Sequence, residues 1–450
     1  MQAAYDVLVL GGGSAGCALA ARLSEDPDRS VCLVEAGPDY GPLAEDRWPA
    51  DLLDARMLAF SHSWGTDRDD RSQLRARVLG GCSAHNACIV LRGAPTDYDE
   101  WGPGWTYADM EPYISRAEAT LGVRTFEEGE LSPWHLAFLS WAGGIAHSVN
   151  VRGTVRWNAA FAYLDPARRR RNLTIRSDTL VERVVLDPLQ AVTSSGELAA
   201  ETIVLAAGAY GSPGVLLRSG IGPGDELRRH RIPVELDLPV GEGLADHVGV
   251  GLGWQATPAL QTEMKGFENR APVYMAQVSV LLRSSHCSDR LWDLLAFPAL
   301  DPGYEVSGAV FAMKPHSRGR VQLNGPEPDR PLAIDHGFLS DARDADVLAE
   351  GVEQLREIAA SARVRRYAAR ELRPGLGVAP LDHARASARG FFHPVGTCAL
   401  GAVCDEGARV LGAKGLLVAD GSLMPTIPRV NTNLSVIAVA EAVAERLRVA

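Results

Sequence analysis

The sequence predicts an α/β fold, α+β overall, in which a parallel-sheet domain is interrupted by a second domain built on an antiparallel sheet. An apolar run ends in glycines at residues 5–16 and leads into a helix-compatible segment and a second apolar run. The same order recurs at residues 201–217. Residues 246–384 instead carry several strand-like runs before an amphipathic stretch. Because residues 385–450 return to the first pattern, we expect 246–384 to be inserted between 1–245 and 385–450.

Size and charge exclude several classes of protein. The chain has 450 residues, 46% hydrophobic and 22% charged, which excludes a disordered or fibrous protein and suits two domains. A formal net charge of -11 opposes binding to nucleic acid or to an anionic membrane surface. The seven cysteines include no CxxC pair, and no segment resembles a signal peptide or a spanning helix. We therefore expect a cytoplasmic protein without nucleic-acid or membrane partners, while its oligomeric state stays open.

The N-terminal elements form a βαβ unit. Residues 5–10 (YDVLVL) predict a buried strand, residues 14–24 a helix, and residues 31–35 (VCLVE) a second strand. Between the first strand and the helix lies a GxGxxG pattern, in which the first glycine permits the turn, the second lets a pyrophosphate approach and the third allows close helix packing. The carboxylate at the end of the second strand suits an adenosine ribose. This Rossmann-like pattern does not distinguish FAD from a nicotinamide cofactor, and its predicted contacts are Gly11, Gly13, Ser14, Ala15, Gly16, Glu35 and Ala36.

The remaining elements follow in order. Residues 37–75 are rich in Pro, Asp, Arg and Trp and predict a long, lid-like excursion. Residues 201–217 predict a strand and helix of the first sheet. Within 246–384, the runs YMAQVSVLL, VSGAVFAM and GRVQL predict antiparallel strands, and DADVLAEGVEQLREIAASA predicts a helix. A long Ala-rich helix is expected to begin near Asn433.

Two stretches carry a family resemblance. Residues 76–93 (ARVLGGCSAHNACIVLRG) and 208–222 (GAYGSPGVLLRSGIG) resemble the glucose-methanol-choline (GMC) family of FAD oxidoreductases. GGGSAG, FFHPVGT and VADGSLMPTIPRVNTNLSVIAVAE match in the same order, so the chain is identified as a member of that family. The resemblance implies an FAD-binding domain with an inserted substrate-binding domain. It also implies oxidation of an alcohol to an aldehyde or ketone by hydride transfer to flavin N5, with oxygen or another acceptor taking the electrons.

The resemblance also assigns residues to the flavin. GGCSAHNACI is most similar to the flavin loop of the choline-oxidising members, where a histidine is attached covalently to the flavin ring. His85 occupies that place, and both a covalent bond and simple packing beside FAD remain open. Small residues in this loop would let the backbone approach the cofactor. The further cofactor contacts that the resemblance implies are Gly80, Gly81, Asn86, Ala87, Val181, Asp420 and Gly421.

The same resemblance places two polar side chains at the substrate. His393 is the expected general base, because an unperturbed imidazole titrates near neutral pH. Asn431 is the expected hydrogen-bond donor to the developing alkoxide. The hydroxynitrile lyases of the family, which keep FAD but cleave cyanohydrins without net redox chemistry, are the alternative. The substrate stays open, since choline would need a desolvated carboxylate and aromatic faces that the sequence does not bring together.

The other histidines and cysteines are expected to be structural. His247 is expected to stabilise the edge of the sheet, and His316 and His336 to have surface or packing roles. Cys82 is expected to be a small packed residue beside the flavin loop. No His, Cys and Asp cluster has metal-ligand spacing, so no metal is expected.

Overall fold

The computed structural model of the chain describes residues 5–64, 73–301, 303 and 305–449. The strands in chain order are β1 (Tyr5–Leu10), β2 (Val31–Val34), β3 (Ile89–Val90), β4 (Arg124–Thr125), β5 (Gly144–Ala146), β6 (Ser148–Val149), β7 (Val151–Arg152), β8 (Val155–Arg156), β9 (Leu173–Arg176), β10 (Val181–Leu186), β11 (Leu189–Thr193), β12 (Gly196–Leu205), β13 (Glu242–Leu244), β14 (Val248–Ala256), β15 (Val278–Leu282), β16 (Leu294–Asp301), β17 (Glu305–Ala312), β18 (Gly319–Gln322), β19 (Ala333–Asp335), β20 (Ala368–Arg373), β21 (Arg389–Gly390) and β22 (Leu416–Val418). The α-helices are α1 (Ser14–Leu23), α2 (Ala50–Leu53), α3 (Pro95–Asp99), α4 (Tyr107–Leu121), α5 (Pro133–Leu139), α6 (Asp165–Ala167), α7 (Gly208–Arg218), α8 (Gly224–Arg229), α9 (Pro258–Glu268), α10 (Ala342–Ala360), α11 (Ala362–Arg365), α12 (Pro380–Ser387) and α13 (Asn433–Val449).

The first sheet is parallel at its centre. Its strand order is β9, β2, β1, β12 and β22, and each neighbouring pair is parallel. Every residue of β2 is buried, as expected for a strand covered on both faces. The first half of β12 extends beyond this core and pairs antiparallel with β11, which in turn pairs with β10.

A buried ion-pair cluster joins the C-terminal helix to the N-terminal βαβ unit. Glu441 of α13 has no exposed surface and pairs with Arg22 of α1 at 2.9 Å and with Arg116 of α4 at 2.8 Å. The hydroxyl of Tyr163 donates to the same carboxylate at 2.8 Å. Two cations and a hydroxyl therefore compensate the buried charge, and they fix α1, α4 and α13 against each other.

The second sheet is antiparallel, with the order β20, β14, β17, β16, β15 and β5, and β21 also pairs with β14. Its strands come mainly from 246–384, but β5 and β21 come from outside that range. Alternation along β16 directs Leu294 and Ala296 into the core shared with α10. Leu295 and Phe297 point to the opposite face and join a separate apolar cluster. That opposite face is the one turned toward the site described below.

The predicted fold class is confirmed, because a parallel sheet is combined with an antiparallel sheet built largely from the inserted segment. In the excursion predicted at 37–75, the described residues form a short 3₁₀ helix at Leu43–Glu45 and α2, while residues 65–72 lie outside the described part. Among the described residues, no helix is long and apolar enough to cross a membrane.

Candidate active site

One cavity of about 960 Å³ lies where the carboxyl ends of β1, β2 and β12 meet the exposed face of the antiparallel sheet. Ligands of open α/β sheets bind at this edge. Two predicted site residues, Gly16 and Gly80, do not line the cavity themselves but pack on the first glycine loop, which does. The predicted site residues that line the cavity are Gly11, Gly13, Ser14, Ala15, Glu35, Ala36, Gly81, His85, Asn86, Ala87, Val181, His393, Asp420, Gly421 and Asn431.

The first glycine loop has the geometry that a dinucleotide phosphate needs. Gly11 has a φ of +109°, and a Cβ placed on it would lie 2.6 Å from the carbonyl oxygen of Ala206. A Cβ on Gly16 would lie 1.8 Å from the Gly11 carbonyl oxygen, so the turn and α1 pack with no room for a side chain. Gly13 caps α1 without a side-chain hydrogen bond. The first N–H groups of α1 therefore remain available to an anion in the cavity.

Glu35 is held at the end of β2 by backbone amides. Its Oε2 accepts a hydrogen bond from Gly12 N at 2.7 Å, and its Oε1 accepts one from Gly37 N at 2.8 Å. The side chain is buried, and burial raises its pKa to about 7 in spite of these two bonds. Each oxygen has a second lone pair that can accept a ribose hydroxyl.

The second glycine loop packs directly on the first. Gly80 N donates to the carbonyl oxygen of Gly12 at 2.8 Å, and Gly80 has a φ of +94°. A Cβ placed on Gly81 would lie 2.6 Å from the Cα of Gly13. The two loops thus form one cradle of exposed backbone in which side chains have no space.

His85 projects from the end of this second loop. It is buried and lines the cavity, and its Nε2 has no hydrogen-bond partner among the described residues. Burial lowers the pKa of the imidazole to about 4, so the ring is neutral near pH 7. A neutral, unpartnered nitrogen at this position is free to contact a bound group.

His393 and Asn431 face the cavity together. Asn431 Nδ2 lies 3.3 Å from His393 Nε2, although the two residues are far apart in sequence. The backbone N of His393 donates to Oδ1 of Asp246 at 2.9 Å, which anchors the loop after β21. Burial, with His247 and Arg75 nearby, lowers the pKa of His393 well below its usual value. The imidazole is therefore neutral and able to accept a proton.

Aromatic rings surround this pair on the side of the antiparallel sheet. Phe391 stacks on Phe311 with ring centroids 3.7 Å apart, and its ring centroid is 4.5 Å from that of His393. Phe297 meets Phe391 edge to face at 6.1 Å. Phe297 lies on the face of β16 described above, and Phe311 of β17 is paired with Leu295 in the same apolar cluster, so both rings reach the cavity. The pair therefore lies at the boundary between a polar backbone cradle and an apolar, aromatic chamber.

Comparison with known sequences identifies the family. The family model described as GMC oxidoreductase matches residues 5–140 and 138–249 with its N-terminal part and residues 315–440 with its C-terminal part. The chain belongs to the GMC oxidoreductase family.

The similarity of this GMC oxidoreductase to known proteins covers almost the whole chain. It is 30% identical to the oxygen-dependent choline dehydrogenase of Burkholderia lata over an alignment that covers 99% of this chain and 93% of the relative. Among solved structures, it is similar to pyridoxine 4-oxidase of Mesorbium loti, with 28% identity, a TM-score of 0.86 and 99% of each chain covered. Formate oxidase of Aspergillus oryzae RIB40 shares the fold at 21% identity and a TM-score of 0.85, with 99% of this chain and 98% of the other covered.

These findings make the protein an FAD-dependent oxidoreductase that acts on alcohols. The cavity fits that cofactor, because the two glycine loops form a backbone cradle and His85 leaves a buried nitrogen unpartnered beside it. The relatives are dehydrogenases and oxidases, which does not favour the lyase alternative.

The structure also revises what was expected of single residues. Cys82 is exposed and lines the cavity beside the second glycine loop, so it is not packed among other side chains as expected. His316 is exposed and His336 is buried. His247 is buried against His393, a contact that no local pattern indicates. Asp246 was missed altogether, since its only sequence signal is its place before His247.

Proposed function

We propose that this enzyme oxidises its alcohol substrate to an aldehyde or ketone with His393 as the general base and Asn431 as the hydrogen-bond donor that orients the hydroxyl. The observation that carries the proposal is the 3.3 Å contact between Asn431 Nδ2 and His393 Nε2 in the cavity that both glycine loops line. An alcohol oxygen near both groups would pass its proton to Nε2 and keep a hydrogen bond from the amide as charge develops on oxygen.

The cofactor-binding residues follow from the cradle. Gly11, Gly13 and Gly81 would lie along the pyrophosphate, and the N-terminus of α1 would stabilise its charge. Glu35 would accept hydrogen bonds from the adenosine ribose. When bound, FAD supplies the acceptor for the hydride that leaves the alcohol carbon. The chain's own contribution is to exclude water with its aromatic chamber and to hold the hydroxyl proton at His393 Nε2.

We propose further that His85 attaches FAD covalently through Nε2. This nitrogen is buried, neutral and without a hydrogen-bond partner among the described residues, so its lone pair is available. The N–C bond would replace a C–H bond of the 8α methyl group. The methyl hydrogen and the imidazole N–H hydrogen would leave as protons, and the two electrons would pass to the enzyme's electron acceptor. After acid precipitation, the yellow colour should stay in the pellet of the wild type and move to the supernatant for His85→Ala. Colour in the wild-type supernatant would contradict the attachment.

For the substrate, we infer an apolar or aromatic alcohol rather than choline. Among the described residues, the acidic side chains that line the cavity are Glu35 and Asp420, on the cradle side, and Asp329, which is exposed. The chamber beside His393 is instead aromatic, with Phe297, Phe311 and Phe391 on its lining. A quaternary ammonium group would there meet no desolvated carboxylate to compensate its charge.

A matched pair of substrates tests this inference. Choline and its uncharged carbon isostere 3,3-dimethylbutanol have the same shape and differ in charge. When they are mixed anaerobically with the yellow enzyme, we expect the isostere and benzyl alcohol to bleach the flavin band faster than choline. Faster bleaching by choline would refute the substrate class without affecting the assignment of His393. Recovery of the band in air would identify oxygen as the electron acceptor.

We also propose a reducing compartment, the cytoplasm, for the enzyme. All seven cysteines are free thiols, including Cys398 and Cys404, which are both buried in the same core. The test is a thiol titration of the denatured protein prepared without reductant. We expect seven free thiols per chain, and a lower number would contradict the proposal.

A further inference from the structure

His393 contacts a second histidine on the side away from the cavity. Nδ1 of His247 lies 2.9 Å from Nδ1 of His393, and Nε2 of His247 lies 2.9 Å from the carbonyl oxygen of Pro428. His247 has no exposed surface and is absent from the cavity lining. It therefore touches neither solvent nor a ligand in the cavity, and its two nitrogens join His393 to the backbone of the loop that also carries Asn431.

The hydrogen-bond partners determine where each proton lies. The Pro428 carbonyl oxygen can only accept, so Nε2 of His247 must carry a hydrogen. A neutral imidazole has one N–H group, which leaves a lone pair on Nδ1 of His247. The 2.9 Å contact then requires the hydrogen to be on Nδ1 of His393. The lone pair of His393 is consequently on Nε2, where the Asn431 amide can donate to it at 3.3 Å.

This arrangement of protons requires a neutral His247 ring, and the surroundings of His247 meet that condition. Burial, and the positive charge of Lys314, lower the pKa of His247 to about 3. Asp246 is the neighbouring acidic residue, but its Oδ1 accepts from the backbone N of His393 rather than from the His247 ring. A cationic His247 would also offer its Nδ1 hydrogen to His393 and would reverse the tautomer.

We propose that His247 is a positioning residue that fixes His393 in the tautomer whose Nε2 takes the proton of the alcohol. The inference rests on the proposed function, in which His393 is the base. After proton transfer, Nδ1–H of the His393 imidazolium still donates to His247, so the same contact stabilises the charged product of the step. Pro428 and Asn431 belong to one loop. This loop thus fixes Nε2 of His393 directly through Asn431 and Nδ1 of His393 indirectly through His247.

A matched pair of variants separates this role from packing. His247→Asn keeps an acceptor oxygen near the position of Nδ1, whereas His247→Leu has almost the same shape without an acceptor. Both variants lose the Pro428 contact to the same extent. We expect the anaerobic rate of flavin reduction to fall roughly 10- to 100-fold in the Leu variant and to recover largely in the Asn variant. FAD content and Tm should be equal in the two. Equal rates in both variants would overturn the proposal.

A direct readout does not depend on either variant or on turnover. ¹⁵N chemical shifts of the histidine rings in the wild-type holoenzyme, assigned with His393→Asn, report which nitrogen carries hydrogen. We expect a protonated Nδ1 and an unprotonated Nε2 on His393, and the reverse assignment would overturn the role of His247. If the shifts are as expected but His393→Ala reduces flavin at the wild-type rate, the proposed function fails and the tautomer assignment stands.

Discussion

The replacement Glu35→Gln should separate two roles of one carboxylate. The wild-type oxygens accept hydrogen bonds from the backbone N of Gly12 at 2.7 Å and of Gly37 at 2.8 Å. Glutamine preserves the shape but replaces one acceptor oxygen with an NH₂ group that cannot accept. It also removes a negative charge that burial disfavours. The variant should therefore bind FAD less tightly. In addition, the unfolding free energy of its apoprotein should fall less with rising pH than that of the wild type.

The magnitude follows from the shifted pKa. Burial raises the pKa of Glu35 from 4.5 to about 7, so the folded state holds its proton more tightly than the unfolded state. The contribution of protonated Glu35 to the unfolding free energy is fully present below pH 4.5. It is lost as the pH rises through the folded pKa, because the buried carboxyl group must then ionise. Between pH 5 and pH 8 the wild type should lose roughly 2–3 kcal/mol of unfolding free energy through this group. The loss of a charge-assisted bond to the ribose should weaken FAD binding by roughly 10- to 100-fold.

Both quantities can be measured in the His85→Ala background, where FAD is exchangeable. Denaturant unfolding of the apoprotein at pH 5 and pH 8 gives the first quantity, and flavin fluorescence titration gives the second. Other buried groups such as Asp246 contribute equally to both proteins, so the difference between them isolates Glu35. If the wild type and Glu35→Gln lose the same stability between the two pH values, the assignment of the carboxylate as a destabilising buried charge is refuted.

Three other substitutions have definite expected outcomes. Gly16→Ala places a methyl group 1.8 Å from the Gly11 carbonyl oxygen, so the purified protein should lack visible flavin absorbance, and a wild-type flavin ratio would contradict the packing argument. Asn431→Ala should slow anaerobic flavin reduction by roughly 10²- to 10³-fold with FAD retained, whereas an unchanged rate would remove its role. Glu441→Gln removes the buried carboxylate charge that Arg22 and Arg116 share, leaves Arg22 its ion pair with the more exposed Glu25, and should lower the unfolding free energy by about 2–3 kcal/mol. The measurement is a denaturant titration, and an unchanged midpoint would count against the cluster.

The cradle could be predicted from the sequence because its signals are local. A glycine that must adopt a positive φ, such as Gly11, and one that leaves no room for a Cβ, such as Gly16, lie within one turn and one helix start. The apolar strands before and after them have a period and a length that identify a buried parallel sheet. Local patterns therefore suffice to predict the fold class and the glycine turn before α1.

The catalytic surroundings could not be predicted in the same way, because they depend on contacts between distant segments. His247 and His393 are 146 positions apart, and their 2.9 Å contact results from the pairing of β14 with β21. Their neutral state depends on burial, which a sequence does not report. The exposure of Cys82 likewise depends on the cavity that the assembled segments leave beside it, which the residue types do not report.

The central claim is that His393 removes the hydroxyl proton, and the dependence of flavin reduction on substrate acidity tests it most directly. Benzyl alcohol and more acidic, fluorine-substituted alcohols can be compared anaerobically in the wild type and in His393→Ala. With benzyl alcohol, we expect flavin reduction in the variant to be roughly 10²- to 10⁴-fold slower than in the wild type. With the acidic alcohols this difference should shrink, because their hydroxyl proton leaves with less help from a base. A His393→Ala variant that reduces its flavin at the wild-type rate with every alcohol would contradict the account.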